Sequence, residues 1–327
     1  MNKKGLKLFV SFVIGATLIY IWLRLIDVNT MLEYFKHINV YWVIVAVILY
    51  VSAYFIRSVR WKIILSPVEK ISFKESFTLF MAGMMINYII PIRAGEVAKS
   101  AFLKSTKQTP IAASLPTVFI DKMMDLFPIV ILAGLLPFLT IKMNNFLIWM
   151  LIALLIVFLI FVGIVWLSLR REKTVTKFLQ FWFFWLPQKI KLKINNFLAM
   201  FVQGLAVIKI NKSSAYRIVF FTLLAIVFDA LYIMAMFKAF DFKISFLVAL
   251  FGYTLINLSY ILPTPPAQIG SNEVIYVIIF TLAFGIDKNL VSATLGFAHL
   301  LTGSIIFLLG TMSLQSLGLK FSLRGNN

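Results

Sequence analysis

Two short polar segments interrupt long apolar stretches with the same residue types in the same order. The first, NYIIPIRAGEVAKSAF, begins at Asn87 and reaches Glu96 after a proline, an arginine and a glycine. The second, NLSYILPTPPAQIGSNEVIYVI, begins 170 positions later at Asn257 and reaches Glu273 after three prolines and a glycine. Irregular backbone at membrane depth is tolerated only where protein or a water-filled cavity covers it. The matched pair therefore predicts two broken helices that meet at a transport site, with two kinked helices buried in a bundle as the alternative.

The composition indicates a membrane protein. Hydrophobic residues make up 61% of the 327 residues and charged residues only 13%, whereas soluble domains carry about 25% charged residues. The chain has no cysteine and two histidines, so a disulfide framework and a thiolate metal site are excluded and a histidine-based metal centre is not expected. We therefore expect no metal and no cofactor.

The hydrophobic pattern predicts an all-α integral membrane protein with six spans and two re-entrant broken-helix hairpins. Each expected span is near the roughly 20 residues that a bilayer requires. The first is predicted to be a retained helix, because no small-residue cleavage site follows it. Residues 1–327 are expected to form one membrane domain without a soluble catalytic domain, and residues 170–217 an amphipathic connector in the cytoplasmic interface. The expected spans are 6–26, 40–60, 112–139, 146–169, 218–240 and 290–314, and the hairpins are 75–104 and 246–286.

The net charge of +19 is distributed unevenly across this topology. Of the 31 lysines and arginines, 24 fall on the cytoplasmic side and six outside, and Lys122 lies within a span. This bias follows the positive-inside rule and predicts that both termini are cytoplasmic, in the cell membrane of a prokaryote. The basic excess is then an orientation signal that also attracts anionic headgroups, so nucleic acid is not an expected partner.

Three carboxylates fall deep within predicted spans. Asp121 and Asp125 lie one helical turn apart in the third span, and Asp229 lies near the middle of the fifth. A carboxylate at this depth costs several kcal/mol unless it is paired, protonated or hydrated, so each is a functional candidate. Lys122, three residues before Asp125, is a candidate counter-ion, and a purely structural ion pair remains the alternative.

The interruptions carry further charged candidates. Glu96 and Glu273 fall in the first turn of a restarting helix, where capping of the backbone alone explains a carboxylate. Capping does not explain Arg93 with Lys99 near Glu96, a cationic cluster that suits a phosphate. His299, within the sixth span, is predicted to be a hydrogen-bonded interior histidine.

Two arginines close the second span on the predicted cytoplasmic side. Arg57 and Arg60 in YFIRSVRWKIIL are candidates for attracting a phosphate, with interfacial anchoring beside Trp61 as the alternative.

Four motifs, RSVRWKIIL, NYIIPIRAGEVAKSAFL, FIDKMMDLFPIVIL and LPTPPAQIGSNEVIYVII, occur in this order. Together they resemble the membrane domain shared by lysylphosphatidylglycerol synthase/flippases and by stand-alone flippase-like proteins, over residues 10–315. The chain departs from the family pattern at Lys122, where arginine is usual, and at Ala267 and Gln268, where glycines are common. The resemblance and the motifs together give a set of headgroup-binding candidates: Arg57, Arg60, Asn87, Arg93, Glu96, Asp121, Asp125, Asn257 and Glu273.

The resemblance implies a lipid translocase. Its cargo would be an anionic or aminoacylated phospholipid or a polyprenyl-phosphate-linked sugar. In the two-domain synthases a separate soluble domain transfers the amino acid, so lysyl transfer by this chain alone is not expected. The alternatives are a membrane-embedded transferase that uses Asp121 and Asp125 as acid and base, and a scaffold for a glycosyltransferase. The expected partners are membrane lipids, with a glycosyltransferase, a lipid synthase or a second copy of the chain as further candidates.

Overall fold

The computed structural model of the protein describes residues 3–90, 94–135, 145–181, 187–207, 211–259 and 265–318. These ranges contain helices and turns and no strand. The α-helices are α1 Lys3–Leu25, α2 Val28–Glu33, α3 Val40–Leu65, α4 Phe73–Ile89, α5 Gly95–Lys107, α6 Ile111–Met124, α7 Pro128–Leu135, α8 Asn145–Phe181, α9 Gln188–Val207, α10 Lys212–Ala239, α11 Phe246–Ser259, α12 Ser271–Val277 and α13 Lys288–Ser316. Two 3-10 turns, Tyr34–His37 and Pro266–Gln268, and a π-helical turn at Ile278–Leu282 complete the described elements.

Three helices in the described part of the chain, α3, α10 and α13, are long and apolar enough to cross a bilayer. They coincide with the spans expected at 40–60, 218–240 and 290–314. A fourth span results if Val13–Leu25 and Val28–His37, which meet at 86°, are counted as one. An all-α membrane protein is thus confirmed, and the count of six spans and two hairpins stays a prediction.

The span expected at 112–139 is not one continuous helix. Helix α6 ends at Met124 and α7 begins at Pro128, and the amides of Leu126 and Phe127 donate to carbonyl oxygens three residues back. Pro128 has no N–H and disfavours a helical residue before it, which explains the break. Asp125 therefore occupies the C-cap of α6 rather than the middle of a span. Residues 136–139 lie outside the described ranges.

The predicted connector at 170–217 is helical where it is described. Helix α8 continues past the expected end of its span to Phe181, with a kink at Arg171, and α9 follows from Gln188. Helix α9 packs against both α8 and α6. The interfacial location of this segment stays a prediction.

Both predicted interruptions are present. Helices α4 and α5 flank the first, and α11 and α12 flank the second. A capping box formed by Ser72 and Glu75 fixes the start of α4, since each side chain accepts a hydrogen bond from the backbone of the other residue. Residues 91–93 and 260–264 fall outside the description, so the path between the helices is not described at either break.

Packing brings the two interruptions together. Helix α3 packs along α10, and α4 packs along α13 and also contacts the Pro266–Gln268 turn of the second interruption. Glycines permit the close approach of α4 and α13, because a Cβ atom at Gly303 would collide with the hydroxyl of Tyr88 and one at Gly310 would lie 2.5 Å from the Cβ of Met85. The first interruption thus faces the second across the interior of the bundle.

Candidate functional site

Two arginines of α3 form the centre of a buried charged cluster. Arg57 and Arg60 are three residues apart, which places them on one side of the helix. Their side chains are 10% and 1% exposed. They therefore do not extend into the cytoplasmic interface as anchoring residues would, and each must find counter-charges inside the protein.

Arg60 joins both carboxylates of α6. Its Nε donates to Oδ1 of Asp121 at 2.7 Å and its Nη2 donates to Oδ1 of Asp125 at 2.8 Å. The same Nη2 also donates to the backbone carbonyl oxygen of Asp121 at 3.0 Å. The planar fork of a guanidinium suits this arrangement, in which one cation holds two carboxylates.

Arg57 connects α3 to α10 and α11. Both of its terminal nitrogens donate to the carboxylate of Asp229, one of them, Nη1, at 3.2 Å. Its Nη2 also donates to the hydroxyl of Tyr253 at 2.7 Å, and its Nε lies 3.5 Å from Oδ1 of Asp125. Asp125 is therefore within reach of both arginines.

The first interruption is bridged by an asparagine. Oδ1 of Asn87 accepts from the backbone N–H of Gly95 at 2.8 Å, and its Nδ2 donates to Oε1 of Glu96 at 3.0 Å. The side chain of Asn87 thus links the end of α4 to the start of α5. Glycine is needed at 95 because a Cβ there would overlap the carbonyl oxygen of Gly83 on α4.

Two lysines complete the cluster on this side. Lys99, which is buried, lies 2.9 Å from Oε2 of Glu96 and stacks over the ring of Phe80 at 4.0 Å. Lys122 lies 3.2 Å from Oδ2 of Asp125 and 4.0 Å from Oε1 of Glu96. The Lys122 side chain is 38% exposed, which makes it more accessible than either arginine.

The second interruption is held in a different way. Glu273 lies in the first turn of α12 and accepts from the backbone N–H of Gly270 at 2.7 Å. Its other oxygen contacts Nδ1 of His299 at 2.5 Å. Asn257, in contrast to Asn87, donates to the carbonyl oxygen of Tyr253 within its own helix. The two asparagines predicted to be equivalent therefore have different roles.

A cavity of about 140 Å³ lies between the two interruptions. Its described lining comes from α3, α4, α5, α6, α10, α11, α12 and α13 and from the turn that precedes α12. Among the lysine, arginine and carboxylate side chains that line it, three are cationic, namely Arg57, Lys99 and Lys122, and three are anionic, namely Glu96, Asp121 and Asp125. Arg60 and Asp229 lie behind this surface and are also of opposite sign, so the described cluster is electrically balanced.

The structure brings most of the predicted site residues together. Arg57, Asn87, Glu96, Asp121, Asp125 and Asn257 line the cavity, and Arg60 and Glu273 are bonded to residues that line it. Arg93 lies outside the described residues, so its role stays a prediction.

Several cavity residues were not in the predicted set. Asp229 had a detectable signal, a carboxylate at the centre of a span, and Lys99 and His299 were also visible as polar residues in apolar stretches. Tyr253 had no signal in the sequence, because a tyrosine in an apolar helix is ordinary. Within the described ranges, no group of three or more histidine, cysteine, aspartate or glutamate side chains is arranged to hold a metal ion.

Comparison with known proteins gives two findings. The family model for the lysylphosphatidylglycerol synthase TM region matches residues 8–310. The chain is similar to the UPF0104 membrane protein MJ1595 of Methanocaldococcus jannaschii, with 24% identity over 307 residues, which cover 90% of this chain and 88% of the relative. No solved structure matches the chain.

Proposed function

The chain belongs to the lysylphosphatidylglycerol synthase TM region family, and we propose that it is a lipid translocase. In this proposal the lipid headgroup enters the cavity between the two interruptions, while the acyl or prenyl chains remain in the bilayer. The observation that carries the proposal is the balanced charged cluster that lines a cavity inside an apolar bundle. Charged groups within membrane helices are costly and typically mark the path of a polar substrate.

The charge balance of the cavity favours a particular type of headgroup. A purely anionic headgroup would require unpaired cations, whereas Arg57 and Arg60 are engaged by Asp229, Asp121 and Asp125. A headgroup that carries a phosphate together with amines or hydroxyls can pair with both signs. Aminoacylated phospholipids and polyprenyl-phosphate-linked sugars meet this requirement.

Lys122 is the cation that we assign to the phosphate. It is the most exposed charged side chain of the cluster, and each carboxylate that it approaches has another cation within ion-pair distance. A phosphate can therefore replace a carboxylate as its partner without leaving that carboxylate unpaired. Arg93 is a second candidate, from its place beside Glu96 in the sequence.

The proposal includes the full topology of six spans and two re-entrant hairpins, in the cell membrane and with both termini cytoplasmic. The distribution of lysine and arginine supports this orientation. Interrupted helices that enter from opposite sides and meet near the midplane suit alternating access.

The carboxylates are poorly placed for the transferase alternative. A general base must reach the proton that it abstracts, but Asp121 is enclosed against Arg60 and its side chain is 3% exposed. Asp125 is held by two arginines and a lysine. We therefore assign these carboxylates to binding and not to chemistry.

The experiment is a lipid translocation assay with the purified protein in vesicles. Fluorescently labelled phosphatidylglycerol, phosphatidylethanolamine, lysylphosphatidylglycerol and a polyprenyl-phosphate sugar are tested separately, and the fraction accessible to a membrane-impermeant quencher is followed with time. We expect faster movement of headgroups that carry both a phosphate and amines or hydroxyls than of phosphatidylglycerol.

The matched variants are Lys122→Met and Lys36→Met. Lys36 pairs with Glu33 on the protein surface, where both side chains are 64% exposed, so its replacement should not change the rate. Lys122→Met should slow movement of the preferred lipid. Formation of a modified lipid without movement would favour the transferase, and neither movement nor product would favour the scaffold.

A further inference from the structure

The pair formed by Glu273 and His299 is separate from the arginine cluster but faces the same cavity. His299 is 5% exposed and lies on α13, opposite the second interruption. Its Nδ1 contacts Oε1 of Glu273 at 2.5 Å, and its Nε2 contacts the carbonyl oxygen of Ala267 at 2.8 Å. Among the described residues, no lysine or arginine lies within ion-pair distance of Glu273, so His299 is its counter-group.

The hydrogen-bond partners define the protonation of the pair. A carbonyl oxygen can only accept, so Nε2 of His299 must carry a hydrogen. Glu273 accepts from the N–H of Gly270 through Oε2, and this bond favours its ionised form. The short contact between Oε1 and Nδ1 then requires a proton on Nδ1. The pair is thus an imidazolium and a carboxylate, with one proton more than a neutral histidine facing a carboxylate.

The same two side chains hold the backbone of the second interruption. Ala267 and Gln268 have positive φ angles of 53° and 59°, and Gly270 has a φ of 80°. The left-handed conformation is unfavourable for residues with a side chain, by about 1–2 kcal/mol each. His299 bonds the carbonyl oxygen of Ala267 and Glu273 bonds the amide of Gly270, so the ion pair clamps both ends of this turn.

The cavity offers the pair a polar path. Nδ2 of Asn272 donates to Oε1 of Gln268 at 3.0 Å, but Oδ1 of Asn272 has no hydrogen-bond partner among the described residues. Asn272 is 1% exposed and lines the cavity. A buried acceptor of this kind is normally satisfied by water or by a ligand group, which indicates a polar medium next to the pair.

The other titratable groups around the cavity are engaged elsewhere. Tyr88 from α4 lies 3.4 Å from Nε2 of His299. The charged side chains from α3, α5 and α6 pair with one another or with Asp229, and the remaining titratable groups from α3, α10, α11 and α12 are tyrosines. Those that line the cavity are Tyr50, Tyr54, Arg57, Glu96, Lys99, Asp121, Lys122, Asp125, Tyr232, Tyr253 and Tyr276.

We propose that Glu273 and His299 form a proton-binding site that couples lipid movement to the proton gradient. When the turn at 267–270 opens, Glu273 leaves Nδ1, and the imidazolium without its counter-charge releases one proton to the cavity. When the turn closes, His299 takes up one proton from the side to which the cavity is open. The coupling rests on the proposed translocase function, whereas the proton site itself does not.

The first experiment tests the proton site without lipid transport. Because the chain has two histidines and His37 is exposed, nitrogen NMR of histidine-labelled protein gives two imidazole signals, which His37→Gln assigns. At about pH 8 an exposed histidine is neutral. We expect His37 to be neutral there and His299 to carry protons on both ring nitrogens. A neutral His299 under these conditions overturns the proposal.

Glu273→Gln provides the matched comparison. An amide has no negative charge to hold the imidazolium, so His299 should become neutral, with an unprotonated Nδ1. An unchanged, doubly protonated His299 in this variant overturns the assignment of Glu273 as its partner. If this variant does not fold, the measurement on the wild-type protein still decides.

The second experiment tests coupling. Vesicles that contain the wild-type protein and the lipid panel described above are given a pH gradient of either direction. We expect the rate or extent of movement to depend on the direction of the gradient, and Glu273→Gln to lose that dependence while the control Glu33→Gln keeps it. Movement that ignores the gradient in the wild-type protein overturns the coupling. If no lipid moves under any condition, the translocase function fails, and the NMR result alone supports or overturns the proton site.

Discussion

The arginine cluster makes a quantitative prediction about stability. Arg60 donates to the Asp121 side chain, to the Asp121 carbonyl oxygen and to Asp125. Arg60→Met fills a similar volume but removes the cation. Asp121 then has no other cation within ion-pair distance among the described residues, whereas Asp125 retains Lys122 at 3.2 Å and Arg57 at 3.5 Å. Removing one partner of a buried pair costs about 3–5 kcal/mol, and this is the loss that we expect.

The second substitutions distinguish the two carboxylates. Asp121→Leu in the Arg60→Met background removes the stranded charge, so most of the lost stability should return, because a buried pair can be replaced by apolar residues at little cost. Asp125→Leu in the same background leaves Asp121 stranded and should restore little. We therefore expect a coupling energy above about 2 kcal/mol for Arg60 with Asp121, and a smaller one for Arg60 with Asp125.

The assay is reversible unfolding of the purified variants in mixed detergent micelles, followed by circular dichroism. Lys36→Met, which breaks the exposed pair with Glu33, serves as the control and should change the free energy of unfolding by less than about 1 kcal/mol. The reasoning is refuted if Arg60→Met costs no more than this control, or if both double variants recover equally.

Three further results are expected. Since the chain lacks cysteine, a single cysteine at Lys288 should react with an impermeant reagent from outside the cell and one at Ser66 should not; the reverse pattern would contradict the proposed orientation. Lys122→Met should lower the free energy of unfolding by less than about 1 kcal/mol while it slows lipid movement, because the side chain is partly exposed and its partners keep other cations; a loss as large as that of Arg60→Met would make Lys122 structural. Hydrogen bonds from Lys107 and from Ser72 lower the pKa of Glu75 to about 2, so the stabilisation lost in Glu75→Gln should be present above about pH 4.5 and disappear as the pH falls through about 2; acid unfolding of wild type and variant that differs equally at all pH values would exclude this pair.

The sequence predicted the helical membrane fold and the position of both interruptions, because apolar runs and proline or glycine breaks are local signals. The break between α6 and α7 was missed although Pro128 was visible, since hydropathy alone continues through it. Asp125 was consequently expected at mid-span, with Lys122 as its partner. The C-cap at Asp125 instead places its carboxylate near Arg57 and Arg60 as well.

The pairing of charges was the part that sequence reasoning did not reach. Arg57 and Arg60 were interpreted as ends of a span that attract phosphate, because their counter-ions lie 61 and 172 residues away along the chain. The bond between Asn87 and Glu96 is local and consistent with the matched motif. The different role of Asn257 was not predictable, because it depends on how α11 packs and not on the motif.

The distribution of these pairs indicates where the molecule can move. Arg57 and Arg60 tie α3 to α6, α10 and α11 through buried contacts, each of which is costly to break. The buried hydroxyl of Ser76, which donates to the carbonyl oxygen of Ser58 at 2.7 Å, also fixes the first half of α4 to α3. Among the described residues, the salt bridge between α5 and α6 is the single contact of Lys122 with Glu96 at 4.0 Å, on a partly exposed side chain. Such contacts are worth about 1 kcal/mol or less. Alternating access therefore requires the least energy if α3, α6 and α10 remain together and the first interruption moves against α6, which would open the cavity beside Lys122.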